Sequence, residues 1–275
     1  MGNFDYDLIG KVYSVNFVIM TGRYLLFAGL AYLIFWKWLP NRLQNYRIQR
    51  VWPKAEKLWQ EFRFSMLTFF IFAAIGTGVF MATKAGYTKI YPNIDDHGVA
   101  YFWFSVVMAI VIHDAYFYFT HRLMHTKLLY AKFHAVHHRS NNPSPWAAFS
   151  FHPYEAVVEA MIVPLLAFTM PIHKFAILAF LVYMTFMNVI GHLGYELYPK
   201  KFVHSRWFFW NNTSTHHNMH HRKNNCNYGL YFNWWDRIFK TNHKTYFDYY
   251  DEVVARREAP LAARENKHLA QSEAA

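Results

Sequence analysis

The chain holds one cysteine, Cys226, among 275 residues. A single thiol excludes an intrachain disulfide framework and any cysteine-built zinc or iron–sulfur site. Acidic side chains are also scarce: 17 Asp and Glu stand against 28 Lys and Arg, a formal net charge of +11. The basic residues flank apolar runs and no nucleic-acid motif accompanies them, so nucleic acid is not an expected partner. Attraction to anionic lipid headgroups is the simpler reading. There is no G-x-G-x-x-G dinucleotide fingerprint. No cleavable leader is expected, because MGNFDYDLIGK is polar and acidic and the first apolar run is long.

What is present is apolar and aromatic: 54% hydrophobic residues, with 27 Phe, 20 Tyr and 10 Trp. A bilayer core takes about 20 mostly apolar residues as helix. Val15–Leu39 meets that length, interrupted by Arg23 and Lys37 and ended by Pro40. Phe64–Thr83 and Tyr101–Phe119 are further spans, and the latter runs directly into histidines. Val157–Thr169 and Phe175–Ile190 are shorter runs joined by MPIHK, which predicts a helical hairpin that spans or dips into the bilayer. Pro164 predicts a kink in its first arm. The loop 41–63 is rich in Arg and Lys, whereas 84–100 carries Lys84 and Lys89 against Asp95 and Asp96. By the positive-inside rule the first loop is cytoplasmic.

The most informative residues are histidines in three clusters: His121/His125, His134/His137/His138 and His217/His220/His221, reading HRLMH, HAVHH and HNMHH. Residues three and four apart share a helix face, so each cluster can aim its imidazoles at one point. Neutral imidazole suits iron, copper, zinc and nickel. Eight such groups exceed the four ligands of a closed structural zinc and the axial needs of a heme, so the spacing predicts a two-metal site. All three clusters fall on the side of the basic loop. The expected architecture is therefore an all-α integral membrane protein, with about four transmembrane helices and a cytoplasmic helical cap carrying a histidine-rich dimetal site. Residues 1–100 would form the first helices and basic loop, 101–245 a catalytic domain and 246–275 a polar tail. The competing class is a histidine-rich membrane metal transporter, but transport sites lie near the bilayer midplane and these clusters lie beyond the helix ends.

From His113 to Phe239 the chain resembles the fatty acid hydroxylase/sterol desaturase superfamily of integral-membrane diiron oxidases. The resemblance rests on HDAYFYFTHRLMH, LLYAKFHAVHHRSNNPSPWAAFSFHP, NVIGHLGYE and THHNMHHRKNNCNYGLYFNWWDRIF. NPSPWAAFSFHP and NYGLYFNWWDRIF are most similar to sterol C-5 desaturases. The resemblance implies two non-heme irons, O2 as co-substrate and a membrane lipid substrate: a sterol, fatty acyl or other isoprenoid or alkyl lipid. It leaves hydroxylation and desaturation open. Electrons must then come from a separate donor, a cytochrome b5, a ferredoxin or a reductase. The location implied is the bacterial inner membrane or the endoplasmic reticulum. It also implies a ninth ligand between the second and third clusters, and His192 fits. A second histidine often stands four residues on. Here that residue is Glu196, either a ligand or a support for one. His113, Asp114, His216 and Asp236 are expected to orient ligands, with a local arginine the other partner for Asp236. His152 is structural or pocket-lining, and His173 has no expected role.

Overall fold

A computed structural model describes residues 5–257. Four helices are long and apolar enough to cross a membrane: Tyr6–Trp38, Ala55–Lys84, Gly98–Met124 and Lys174–Gly191. The long apolar runs of the sequence fall on them. The first, α1 (Tyr6–Ala31), begins where the Asp5 carboxylate accepts the Leu8 N–H at 3.0 Å, an N-terminal cap. Its end widens into a π-helical turn, Tyr32–Trp38, in which Leu39 N–H reaches Ile34 C=O at 2.9 Å. Pro40 cannot extend the helix. The wide turn aims Trp36 inward, where its indole N–H donates to Leu193 C=O at 2.9 Å.

Next come α2 (Ala55–Lys84), β1 (Ile90–Tyr91), α3 (Gly98–Met124) and the short α4 (Tyr130–Phe133). The predicted hairpin is present, and its first arm is broken into α5 (Pro153–Ala160) and α6 (Ile162–Thr169). At the break, Met161 N–H is shared by the Val157 and Val158 carbonyls. Pro164 has no N–H to return to Ala160, so the helix cannot run through unbroken. The second arm is α7 (Lys174–Gly191), preceded by β2 (Ile172–His173). The strands pair in parallel, Ile90 with Ile172 and Tyr91 with His173. His173, given no role above, is a buried fastener of this end. Its Nε2 donates to Pro92 C=O at 2.9 Å and its Nδ1 accepts the Phe175 N–H at 3.2 Å.

At the opposite end the chain closes around α8 (Ser214–Lys223) and α9 (Trp234–Ile238). Tyr195 Oη donates to Phe35 C=O at 2.7 Å, and Glu196 N–H reaches Tyr46 C=O at 2.8 Å. Residues 246–257, placed by sequence in a polar tail, are helical. Tyr246, Tyr250 and Val254 are buried with Val203 and Met219, so this stretch belongs to the folded body; the tail from 258 lies outside the described residues. Between the two ends the helices pack through Tyr24, Phe69, Phe149 and Phe180, all buried. Tyr24 Oη and Ser65 Oγ both donate to Trp146 C=O, at 3.0 and 2.9 Å. Outward, Val18, Leu26, Phe70, Val107 and Phe186 are exposed on the long helices, as a lipid-facing surface requires. The chain is an integral membrane protein.

Candidate metal centre

The third cluster lies on a helix whose sequence, STHHNMHHRK, is polar all round, yet Ser214–His221 are all buried. Polar groups buried this way need partners. The helix starts cleanly: Thr213 Oγ1 accepts the His216 N–H at 3.2 Å and Glu196 Oε2 accepts the Thr215 N–H at 2.9 Å. Glu196 Oε1 also accepts the Tyr198 N–H at 3.0 Å. Its carboxylate thus anchors the helix start, and it lies in neither of the histidine groups described next.

The structure brings nine histidines into two adjoining groups. His121, His125, His134, His138 and His220 form one; His137, His192, His217 and His221 form the other. Within each group the candidate ligand nitrogens lie within 4.8 Å of one another. The eight clustered histidines and His192 are all included. The clusters do not each serve one point, however. The pairs four apart stay together: 121 with 125, 134 with 138, 217 with 221. The third member of each triple crosses over, His137 joining the second group and His220 the first. Helical spacing explains the first and third clusters. The second runs through a turn and a 3-10 turn (His137–Arg139) after α4, where His138 N–H still returns to His134 C=O at 3.3 Å.

Backbone acceptors fix the tautomers. A carbonyl only accepts, so a ring nitrogen bonded to one carries the proton and leaves the other nitrogen bare. Nδ1 of His121 donates to Tyr228 C=O at 2.9 Å, that of His220 to Cys226 C=O at 2.7 Å and that of His192 to Asn188 C=O at 2.8 Å. Their bare Nε2 atoms point at the group centres. The Nε2 atoms of His192, His217 and His221 are mutually 3.0, 3.1 and 3.2 Å apart. In the first group His138 Nε2 is 3.0 Å from His220 Nε2 and 3.2 Å from His125 Nε2. A ring nitrogen offers one proton or one lone pair, so three mutual contacts cannot all be hydrogen bonds. A cation among them resolves the conflict, and these residues fit one in each group.

Electrostatics agree. Burial first, then the neighbouring imidazoles, holds His134, His137, His217, His220 and His221 well below the usual imidazole value. Burial likewise lowers His138 to about 3 and His192 to about 4. All are therefore neutral at pH 7, the form that ligates metal. His134 Nδ1 is 2.6 Å from Glu155 Oε1, both fully buried. This carboxylate–histidine pair is the kind that orients a metal ligand and raises its basicity. Sequence reasoning missed Glu155. Its signal was an acid at the mouth of an apolar arm, in FHPYE, where intramembrane acids are functional candidates. His152, by contrast, only caps α5, its Nδ1 accepting the Tyr154 N–H at 3.3 Å.

The remaining candidates hold the loop that holds His121. Asp114 Oδ1 accepts the N–H groups of Tyr231 and Phe232 at 2.9 and 3.1 Å, and His113 Nδ1 meets Tyr231 Oη at 2.8 Å. Asp236 accepts from the N–H groups of Tyr228 and Gly229 at 2.9 and 2.7 Å. It also lies 3.4 Å from His216 Nε2, so its partner is a histidine and not an arginine. Burial alone would raise the Asp236 carboxyl, but the bonds from His216, Thr241 and Gly229 outweigh it and hold it below its usual range.

Residues 106–241, the stretch that carries all nine histidines, match the fatty acid hydroxylase family. A Delta(7)-sterol 5(6)-desaturase of Gibberella zeae is 28% identical over 183 residues, 66% of this chain and 54% of that protein. Lathosterol oxidase of Rattus norvegicus is 33% identical over 162 residues, covering 58% and 52%. That of Homo sapiens is 25% identical over 239 residues, covering 84% and 75%. The chain thus spans about half the length of the first two curated relatives and three quarters of the third. No solved structure matches it significantly. With the family domain seated on the two histidine groups, the chain belongs to the fatty acid hydroxylase/sterol desaturase superfamily.

Proposed function

We propose that the protein is a membrane-bound lipid oxidase that holds two non-heme irons in its two histidine groups and uses O2 to hydroxylate or desaturate a lipid C–H bond. The observation that carries this reading is the pairing of two neutral imidazole groups at the helix ends, within the family domain. His121, His125, His134, His138 and His220 would hold one iron, and His137, His192, His217 and His221 the other. Bound there, the irons supply oxygen activation and removal of hydrogen from an unactivated C–H bond. Imidazole accommodates both ferrous and ferric states.

The chain's own residues prepare the site. The carbonyls of Tyr228, Asn188 and Cys226 lock three rings with Nε2 inward. Glu155 holds His134 and can take the charge of its ring proton when a cation binds. Burial of all nine rings apart from the half-buried His125 keeps bulk water from the centre. The sterol desaturase and lathosterol oxidase relatives support a sterol or related isoprenoid lipid as substrate. A separate electron donor is required, because the single Cys226 can build no redox cluster. The basic loop beside the histidine end suits an acidic donor and a cytoplasmic orientation.

Metal analysis of the purified protein tests this directly, with about two irons per chain expected. Lipid mass spectrometry of cells with and without the gene then reads the reaction: one oxygen gained means hydroxylation, two hydrogens lost mean desaturation. A single tightly held zinc would overturn the diiron reading.

A further inference from the structure

Two segments outside the four membrane-crossing helices expose bulky apolar side chains. In the turn before α8, Trp207 is 66% and Phe208 50% exposed; on α9, Ile238 is 64% and Phe239 42% exposed. The segments are tied to each other and to α3. Asn233 N–H, at the start of α9, reaches Trp210 C=O at 2.7 Å, and the Arg237 guanidinium donates to Phe209 C=O at 3.1 Å. The rings of Trp235 and Phe239 lie 5.1 and 5.7 Å from that of Phe119 on α3. Phe119 is itself exposed and ends the apolar stretch of α3, because Thr120, His121 and Arg122 follow. It stands 21 residues after Gly98, the first residue of α3, about 32 Å along the helix. That is about the thickness of a bilayer's hydrocarbon core. The patch therefore starts at the boundary of the core on the histidine side and is continuous with the lipid-facing side of α3. Charge overlies it. Arg122, Arg206 and Arg237 are exposed, and each guanidinium lies over a ring of the patch: Phe239 at 5.4 Å, Trp207 at 4.8 Å and Phe209 at 4.9 Å. Among the described residues none of the three forms an ion pair.

We propose that the turn 205–210 and α9 form an interfacial foot: their apolar side chains sit among the headgroups of the leaflet on the histidine side, and Arg122, Arg206 and Arg237 bind the phosphates of anionic lipids there. Tryptophan collects at that depth, where one edge of the ring is apolar and the other wet. Arginine binds phosphate through two parallel N–H bonds and can do so while its guanidinium lies on an aromatic face. An acidic protein partner would match the arginines but not the exposed Trp207, Phe208 and Ile238 between them. A purely apolar partner would bury three unpaired cations. The headgroup layer of an anionic membrane satisfies both, and the level of Phe119 places it there. The foot also bears on the histidines. α9 carries Asp236, which accepts the Tyr228 and Gly229 N–H groups, and the Tyr228 carbonyl holds His121. Seating α9 at the headgroups thus sets the height of the five-histidine group above the bilayer. This inference requires only that the chain spans a membrane, and it stands apart from the lipid-oxidase reading.

The test is the quenching of a small bimane fluorophore attached to W207C or I238C of the full chain in phosphatidylcholine vesicles. L128C, at an 82% exposed position between α3 and α4, is the water-facing reference. One quencher is a phosphatidylcholine with a nitroxide high on its acyl chain; the other is acrylamide, neutral and dissolved in the water. Bimane at 207 and 238 should lose most of its emission to the lipid nitroxide and little to acrylamide, and bimane at 128 should do the reverse. Replacing about a third of the lipid by phosphatidylglycerol should favour the seated state about fivefold for each arginine engaged. That shift appears as a further gain in lipid quenching at 238, and R206Q should lose part of the gain. Emission at 207 and 238 lost to acrylamide as readily as at 128 would overturn the proposal. Shielding from both quenchers would put a protein partner or a second copy on the patch and would overturn it too. So would the absence of any gain with phosphatidylglycerol, or a gain that R206Q leaves whole. Should W207C fail to fold, I238C alone decides. No oxidation enters the measurement, so its outcome is independent of whether the protein proves to be an oxidase.

Discussion

His137 and His138 are neighbours in the chain, yet their imidazole planes stand at 90° with centroids 5.8 Å apart, and they serve different histidine groups. One turn of backbone therefore divides its histidines between the two groups. Removing either ring should empty one site before the other. H138A is expected to lower iron from about two per chain to about one by weakening the five-histidine group, and H137A to do the same through the four-histidine group. Activity should vanish in both. Elemental analysis beside a turnover assay checks this, and full iron in either variant would contradict the assignment.

Glu155 acts through His134, so its effect should show in affinity more than in fold. E155Q keeps the shape and can still accept from Nδ1, but it loses the carboxylate that raises ligand basicity. Loss of such a partner typically costs about 10–100-fold in metal affinity. Competition with a chelator should reveal that loss while the thermal transition of the metal-free protein stays near the parent value. Unchanged retention would remove Glu155 from the site.

Gly229 sits where a methyl group has no room. A Cβ there would meet Phe232 O at 2.7 Å, Asn212 Nδ2 at 2.8 Å and Asp236 Oδ2 at 2.9 Å. Two of the three contacts are rigidly placed, and the third is the carboxylate that binds the Tyr228 and Gly229 amides. G229A is expected to destabilise the protein by about 1–3 kcal/mol, the usual cost of overpacking. It should also displace the Tyr228 carbonyl, which orients His121. Iron in the five-histidine group should therefore be lost more readily than in the other. A spectroscopic titration that separates the two sites checks the order of loss.

The buried histidines make the metal-free protein acid-sensitive. Their folded-state values lie below the unfolded value near 6.5, with His192 at about 4 and His138 at about 3. Below pH 6.5 the unfolded chain takes up protons that the folded chain refuses, so stability falls as pH falls. The loss should run from about pH 6.5 down to about 3, the folded-state value of His138, and above 6.5 these groups should contribute no slope. Thermal unfolding of chelator-treated protein across pH 3–8 reads it. Bound metal should shift the loss to lower pH, because ligation also demands the neutral ring. A flat profile for the metal-free protein would show that the rings are not buried as a group.

That these histidines would gather was legible from residue types and spacing because the pairs 121/125 and 217/221 lie on regular helix, where four residues return to one face. The division between groups was not legible. It depends on the turn at 134–139, whose path no periodicity records, and on rings brought together from α3, α7 and α8. Glu155 was invisible for a similar reason: it meets His134 across 21 residues of sequence, through the fold of the 140–152 loop. Glu196 was left open between ligand and support, and spacing alone could not decide it. Its register matched a ligand position, but the turn after α7 carries the carboxylate to the start of α8, where two backbone N–H groups claim it. The spans were read from apolar runs, and the break at Met161 followed from Pro164.

The orientation proposed for the membrane can be settled with two introduced thiols. Leu128 is 82% exposed between α3 and α4 at the histidine end, and Tyr87 is 76% exposed just past α2 at the other. The native Cys226 is buried, with its thiol pushed up to about 12 mainly by burial, so its background reactivity should be low. In intact cells a membrane-impermeant maleimide should label Y87C, and L128C only after permeabilisation. The basic residues of the loop 41–63 lie at the same end as Leu128: Ile48 N–H bonds Gly194 C=O at 3.0 Å, two residues from His192. The labelling therefore also tests whether the positive-inside rule governs this chain. Labelling of L128C in intact cells would place the histidines on the outer face, and an intracellular electron donor could not then reach them.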